Sequence, residues 1–265
     1  MQPDALSSKL DAKTRVFYRH VIEVLTRAGA PFMVGGAYAF ARYTGIERHT
    51  KDLDIFVRPE DYETILKLLA DAGYATSLVA PHWLAKAYSG DDYIDVIFSS
   101  GNGIARVDDL WFHHAPTDEV LGMPVKIVPV EEMIWSKAFV MERERYDGAD
   151  LMHLIHARGN DMDWGRLMAR FRPHWRLLLS YLVLFGFVYP PDRERVPEGV
   201  MRELLARQEI ELRHPSHQRV CQGTLISSRQ YLYDLQHDDY ADARDLPGGP
   251  MTSEQVQQCT AALRE

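Results

Sequence analysis

The stretch Phe32-Met33-Val34-Gly35-Gly36-Ala37-Tyr38-Ala39, followed by Arg48-His49-Thr50-Lys51-Asp52-Leu53-Asp54-Ile55-Phe56-Val57, decides how this chain is read. A short apolar run ends in two glycines, and a helix-like segment begins there. Glycines at such a junction allow close approach to the backbone. The exposed N–H groups at the start of a helix suit phosphate oxygens. The second apolar run carries Asp52 and Asp54 two residues apart. On a strand, residues i and i+2 project from the same face. Two carboxylates side by side repel each other unless a cation or a shared proton lies between them. Hard divalent ions such as Mg²⁺ take such oxygens and bind phosphate oxygens as well.

Asp92-Tyr93-Ile94-Asp95-Val96-Ile97-Phe98 reads as a further strand, with Asp95 interrupting an apolar run. A charge at such a position is costly unless it is paired or metal-bound. If this strand lies beside the first, Asp95 joins Asp52 and Asp54, and three carboxylates can hold two Mg²⁺ ions.

The order hydrophobic-Gly-Gly, then Asp-x-Asp, then a lone Asp on a later strand resembles the nucleotidyltransferase superfamily, the group that includes DNA polymerase beta. The matching positions are Gly35, Gly36, Asp52, Asp54 and Asp95. The lead-in Arg48-x-Thr50-x-Asp52-x-Asp54 is similar to bacterial small-molecule and abortive-infection-type nucleotidyltransferases. Lys137-Ala138 and Arg145-Tyr146-Asp147-Gly148-Ala149-Asp150 resemble the Lys…Arg-Asp-x-x-Asp helices of the abortive-infection type. The resemblance covers roughly residues 30–158. The family often has Gly-Ser where this chain has Gly-Gly, which removes a hydroxyl that can contact phosphate.

The resemblance implies transfer of a nucleoside monophosphate from an NTP, with ATP the expected donor, to an acceptor, with release of pyrophosphate. It implies Mg²⁺, two ions, with Mn²⁺ as a substitute. Asp52 and Asp54 would bind both ions, and Asp95 would bind the ion nearer the acceptor and take its proton. Gly35 and Gly36 would offer N–H groups to the phosphates, and Arg48 or Lys51 would add charge there or simply flank the strand in solvent. Lys137 lies in the apolar segment Met133-Ile134-Trp135-Ser136-Lys137-Ala138-Phe139-Val140, where a buried ammonium needs a partner. That partner is either phosphate, which would make Lys137 a catalytic residue, or Asp147 or Asp150. His153 and His156, and the pair His113-His114, read as polar decoration rather than as metal ligands.

Composition narrows the partners. The chain has 265 residues, 46% hydrophobic and 26% charged, as in an ordinary globular protein. Its formal charge of −8 argues against a surface dedicated to duplex nucleic acid. An acidic chain favours a cationic small molecule or a protein as acceptor over an RNA end, although all three fit the chemistry. Cys221 and Cys259 are far apart and read as free thiols in a reducing compartment. The N-terminus lacks the pattern of a signal peptide, and the most apolar run, residues 177–188, is too short to span a bilayer. The expectation is a cytoplasmic protein without membrane attachment.

Periodicity predicts a helix over 5–28, a strand at 32–34, a helix over 37–43, a strand over 53–57 and a helix from Pro59 to about 72. Strands over 84–88 and 93–98 flank a turn at Ser89-Gly90-Asp91-Asp92, and a small hairpin turns at Gly122-Met123-Pro124. Helices follow over 129–143, 147–157, 164–171, 175–187, 199–208 and 225–237, and Thr252-Ser253-Glu254-Gln255 is a capping box that opens a last one. The expected class is α+β: a small mixed β-sheet nucleotidyltransferase core flanked by helices, with a helical C-terminal region. The expected division is a catalytic domain over 1–158 and a helical region over 159–265, the latter forming one wall of an acceptor cleft by family resemblance. Two other readings use the same residues: a metal-dependent phosphohydrolase with water as nucleophile, and a non-catalytic nucleotide-binding or regulatory module.

Overall fold

A strand with charges on one face and aliphatic residues on the other must bury the second and leave the first open, and the central strands of this protein do so. In the computed structural model, which describes residues 10–262 apart from 49, 51 and 215, strand β2 is Asp52–Phe56. Its Leu53 and Ile55 are fully buried, while Asp52, Asp54 and Phe56 alternate with them toward the other face. The same alternation recurs in β5 (Asp92–Ile97), which buries Ile94 and Val96, and in β4 (Leu84–Ser89), which buries Ala85 and Ala87.

Two compact units divide the chain, Met1–Pro129 and Val130–Glu265. The first holds helix α1 (Ala12–Arg27), β1 (Met33–Val34), α2 (Gly36–Thr44), β2, α3 (Tyr62–Asp71), β3 (Ala75–Ala80), β4, β5, α4 (Asp109–His114), β6 (Thr117–Val120) and β7 (Met123–Lys126). Its main sheet has the order β1-β2-β5-β4-β3. β2 and β5 run parallel and the other pairings are antiparallel. Helix α3 packs on β3, β4 and α1. Val21, Ile22 and Leu25 of α1 and Ile65 and Leu69 of α3 have no exposed surface. Asp11 caps α1 by accepting from the Lys13 N–H, and Gly45 closes α2 in the left-handed conformation at φ 71°.

The helix expected from Pro59 begins only at Tyr62, and residues 5–9 of the helix expected over 5–28 lie outside the described residues. The structure departs from the periodicity more sharply in three places in this unit. β3 is a strand that the sequence pattern does not announce. It lies at the sheet edge with four of its six residues exposed, so no alternation of apolar residues is required of it. Helix α4 is likewise unannounced, and is capped by the Asp108 carboxylate, which accepts from the N–H groups of Leu110 and Trp111. The small hairpin turns at Leu121-Gly122, one residue earlier than expected, and Met123 and Pro124 belong to β7. Leu121 and Gly122 have positive φ, 53° and 77°, the mirror-image turn that matches strand twist.

The second unit is built from α5 (Val130–Ala138), α6 (Gly148–Arg158), α7 (Trp164–Arg170), α8 (Trp175–Val188), α9 (Glu198–Arg213), α10 (Leu232–His237) and α11 (Ser253–Ala262), with a two-residue parallel pairing of β8 (Val220–Cys221) and β9 (Ala241–Asp242). Residues 130–158, grouped by resemblance with the catalytic domain, thus lie in this unit. α5 stops at Ala138, short of the expected 143, and Met141 bridges back to Tyr146. α9 runs beyond the expected 208 to Arg213, and Arg213–Glu209 pairs at i,i+4 in the added turn, as Arg202–Glu198 and Arg207–Glu203 do earlier in the helix. The helix expected over 225–237 shrinks to α10. The Tyr231 ring packs where a side chain at Gly223 would stand, and a 3-10 turn takes Gly223–Leu225. Among the described residues no helix is long and apolar enough to cross a membrane.

One ion network organises this unit. Glu131 and Glu132, in the first turn of α5, are buried. Arg166 and Arg170, one turn apart on α7, answer them. Arg166 pairs with Glu131 and lies 2.9 Å from Glu132, while Arg170 lies 3.1 Å from Glu132. The Asp163 N–H donates to Glu131 at 2.7 Å. Burial pushes the Glu132 carboxyl up, and the two guanidinium groups oppose that push. Replacing Arg166 with Met leaves buried carboxylates under-compensated and is expected to cost about 3–5 kcal/mol in urea unfolding. A loss of about 1 kcal/mol or less, the value of an exposed pair, would contradict this account.

Candidate active site

The parallel pairing of β2 with β5 sets Asp54 directly opposite Asp95 and Asp52 opposite Tyr93. Cross-strand partners share a face of the sheet, so the two-residue spacing on β2 and this register bring three carboxylates together. Asp52, Asp54 and Asp95 each place an oxygen within 4.8 Å of the others. Among the described residues this is the group of His, Cys, Asp or Glu side chains that converges closely enough to share an ion, and neither His153, His156, His113 nor His114 belongs to such a group. All three carboxylates are half-buried.

Local contacts hold the set in place. The Thr50 hydroxyl donates to Asp52 Oδ1 at 2.7 Å, immediately before the strand begins. On the other side, β4 pairs with β5 so that Lys86 stands opposite Asp95. Its Nζ lies 2.7 Å from Asp95 Oδ1 and 3.7 Å from the centre of the Tyr93 ring. The Asp95 contact is an ion pair without hydrogen-bond alignment at that oxygen. Burial pushes the Asp95 carboxyl up, Lys86 pulls it down, the Asp52 carboxylate adds to the upward push, and the net direction is up. Tyr18 of α1 is fully buried beneath this face. Burial first, then Tyr38 and the Asp52 carboxylate, push its phenol up, so it stays protonated.

The two glycines owe their identity first to the protein itself. The Gly35 N–H donates to the Asp54 carbonyl at 3.0 Å, extending the β1–β2 pairing. This narrows the phosphate expectation to Gly36 and the first-turn amides of α2, which have no intrahelical acceptor. A Cβ on Gly35 would stand 2.2 Å from the Phe56 ring. Gly36 has φ +54°, and a Cβ there would stand 1.6 Å from Asp54 Oδ2. The Gly-Gly turn therefore lets Asp54 and Phe56 project against the start of α2.

Arg48, Lys51 and Lys137 are the remaining expected residues. The Arg48 guanidinium lies 4.6 Å from the centre of the Phe40 ring, on the exposed surface. Lys51 lies outside the described residues. In the second unit, Lys137 Nζ is 2.8 Å from Asp147 and 2.9 Å from Asp150, so the buried ammonium has two carboxylate partners from α6 and its N-cap. Arg145 joins Asp147 at 3.2 Å. Burial would raise the Asp147 carboxyl, but Lys137 and Arg145 together hold it below the usual range.

Thr50 and Lys86 are site residues that the sequence reading did not assign. Thr50 stood within the motif but carried no role. Lys86 had a signal: in Leu84-Ala85-Lys86-Ala87-Tyr88 it alternates with small apolar residues, as a side chain on the open face of a strand does.

Three hard oxygen donors converging on one sheet face fit a divalent cation such as Mg²⁺. Residues 18–131 match the family model of aminoglycoside-2''-adenylyltransferase, a segment that contains the whole carboxylate face. No curated protein matches the chain. Among solved structures it is similar to the antibiotic-resistance factor ANT(2'')-Ia, at 17% identity over 65% of this chain and 98% of that one, with a TM-score of 0.45. It is similar to the lincosamide antibiotic adenylyltransferase LnuA, at 14% identity over 55% and 96% of the two chains, with a TM-score of 0.39. It is also similar to JHP933 from Helicobacter pylori, at 12% identity over 78% and 100%, with a TM-score of 0.39.

Two substitutions test this geometry. Gly36→Ala places a methyl group on the Asp54 carboxylate at a backbone angle that disfavours it, and is expected to lower the melting temperature and displace Asp54, read by thermal denaturation and crystallography. An unchanged Asp54 position would contradict the close approach. At Asp147 the folded pKa lies below the unfolded value of about 3.9. Its contribution to stability is therefore present above that value and lost as pH falls from about 4 through the lower folded value. Asp147→Asn should flatten the acid limb of the stability profile, and an identical limb in the variant would refute the assignment.

Proposed function

We propose that the chain is a nucleotidyltransferase that transfers AMP from ATP to a hydroxyl group of a cationic small molecule of the aminoglycoside kind. The observation that carries the reading is the convergence of Asp52, Asp54 and Asp95 on one sheet face beside the glycine turn. The aminoglycoside adenylyltransferase family match over residues 18–131 supports the donor and the acceptor class, and the formal charge of −8 favours a cationic acceptor over nucleic acid.

Asp52, Asp54 and Asp95 are the residues that would hold Mg²⁺, or Mn²⁺ in its place. Bound there, a divalent ion supplies charge neutralisation for the triphosphate and lowers the pKa of the attacking hydroxyl. Gly36 and the first-turn amides of α2 face the donor's phosphates, where the helix N-terminus favours negative charge. Thr50 keeps Asp52 oriented. The acceptor oxygen bonds to the α-phosphorus, the bond from that phosphorus to the α,β-bridging oxygen breaks, and pyrophosphate leaves with the electron pair. Asp95 accepts the hydroxyl proton. The upward displacement of its pKa by burial is in the direction a base near neutral pH requires.

The experiment combines thermal stability with product analysis. Melting of the wild type and of Asp54→Asn is measured with each of the four NTPs, with and without Mg²⁺. A bound nucleotide at a hundredfold excess over its Kd adds about 2.7 kcal/mol. ATP with Mg²⁺ is expected to stabilise the wild type and not the variant. ATP is then incubated with a panel of aminoglycosides, lincosamides and tRNA, with pyrophosphate and adenylylated product read by mass spectrometry. Pyrophosphate with a labelled aminoglycoside supports the reading. Pyrophosphate with free AMP points to hydrolysis. A labelled tRNA replaces the acceptor class.

A further inference from the structure

We infer that Lys86 is a resident cation that competes with divalent metal for Asp95, so that the carboxylate face takes up metal weakly until a nucleotide adds negative charge. The inference rests on the metal-binding reading of Asp52, Asp54 and Asp95 given above.

Four observations carry it. Lys86 is fixed opposite Asp95 by the β4–β5 register, two strands over from Asp54. Its ammonium lies 2.7 Å from Asp95 Oδ1, on the carboxylate that completes the cluster with Asp52 and Asp54. The Tyr93 ring, 3.7 Å from Nζ, holds the ammonium from the side. Both partners are largely buried, Lys86 at 19% and Asp95 at 15% side-chain exposure, so solvent screens the charges incompletely.

A lysine in this position has two opposing effects on an incoming cation. It orients the Asp95 carboxylate toward the face, and it repels a divalent ion at the same oxygens. Two like charges a few ångströms apart in a partly buried site repel each other, and the expected effect on metal affinity is about tenfold. Orientation is already supplied by strand register, because Asp95 is held opposite Asp54 whether or not Lys86 is charged. Repulsion therefore dominates. A nucleotide triphosphate brings several negative charges to the same face and offsets the ammonium, which couples metal uptake to substrate binding. Lys86 acts through Asp95, by its charge rather than by orienting the carboxylate.

Mn²⁺ titration without nucleotide, followed by the spectroscopic signal of the free ion, tests the inference on the full chain. Wild type, Lys86→Met, Lys86→Arg and Asp54→Asn are compared. Lys86→Met is expected to bind Mn²⁺ about tenfold more tightly than wild type. Lys86→Arg, which keeps the charge, is expected to stay near wild type, and Asp54→Asn to bind more weakly than either. Adding a non-hydrolysable ATP analogue should narrow the difference between wild type and Lys86→Met. Equal or weaker Mn²⁺ binding by a folded Lys86→Met overturns the inference while leaving the metal reading intact, provided the wild type binds and Asp54→Asn does not. Absence of Mn²⁺ binding in all four proteins overturns the metal reading itself, and the inference with it. If Lys86→Met does not fold, Lys86→Gln decides by the same comparison.

Discussion

Repulsion between Asp52, Asp54 and Asp95 is the constraint around which the first unit is arranged. Three carboxylates within 4.8 Å of one another oppose folding unless cations or donors compensate. The protein supplies that compensation locally. The Thr50 hydroxyl donates to Asp52, and the Lys86 ammonium sits on Asp95. The opposite face of the same strands provides the driving force, with Leu53, Ile55, Ile94, Val96, Ala85 and Ala87 all removed from water. An electrostatically unfavourable face is therefore carried by a well-buried one.

The glycine turn belongs to the same constraint. Asp54 can point where it does because Gly36 has no side chain and adopts a positive φ. Phe56 lies against Gly35 for the same reason, and stacks on Trp111 of α4 at 5.7 Å between ring centres. A motif that reads as a phosphate loop thus has a prior structural task. The two uses are compatible, since the backbone N–H groups of the first helical turn remain outside the intrahelical ladder.

The second unit handles charge differently. Its ionic groups are paired in place: Lys137 between Asp147 and Asp150, and Arg166 and Arg170 with Glu131 and Glu132. Buried pairs of this kind contribute modestly to stability when intact and cost heavily when one partner is removed. They link α5 to α6 and α7 and so specify which helix faces meet.

The sequence by itself determined the carboxylate set, the glycine turn, the mixed character of the first 130 residues and the helical character of the remainder. Those readings rest on local periodicity and on residue types that are costly unless they have a purpose. Tertiary structure alone decided that β2 and β5 are neighbours in parallel register, that Thr50 and Lys86 guard the outer carboxylates, and that Lys137 is held by two aspartates. It also decided the edge strand β3 and the early end of α5. The physical reason is the same in each case. A strand or an ion pair is completed by residues distant in the chain, and an edge strand exposed on both faces leaves no hydrophobic alternation to be read.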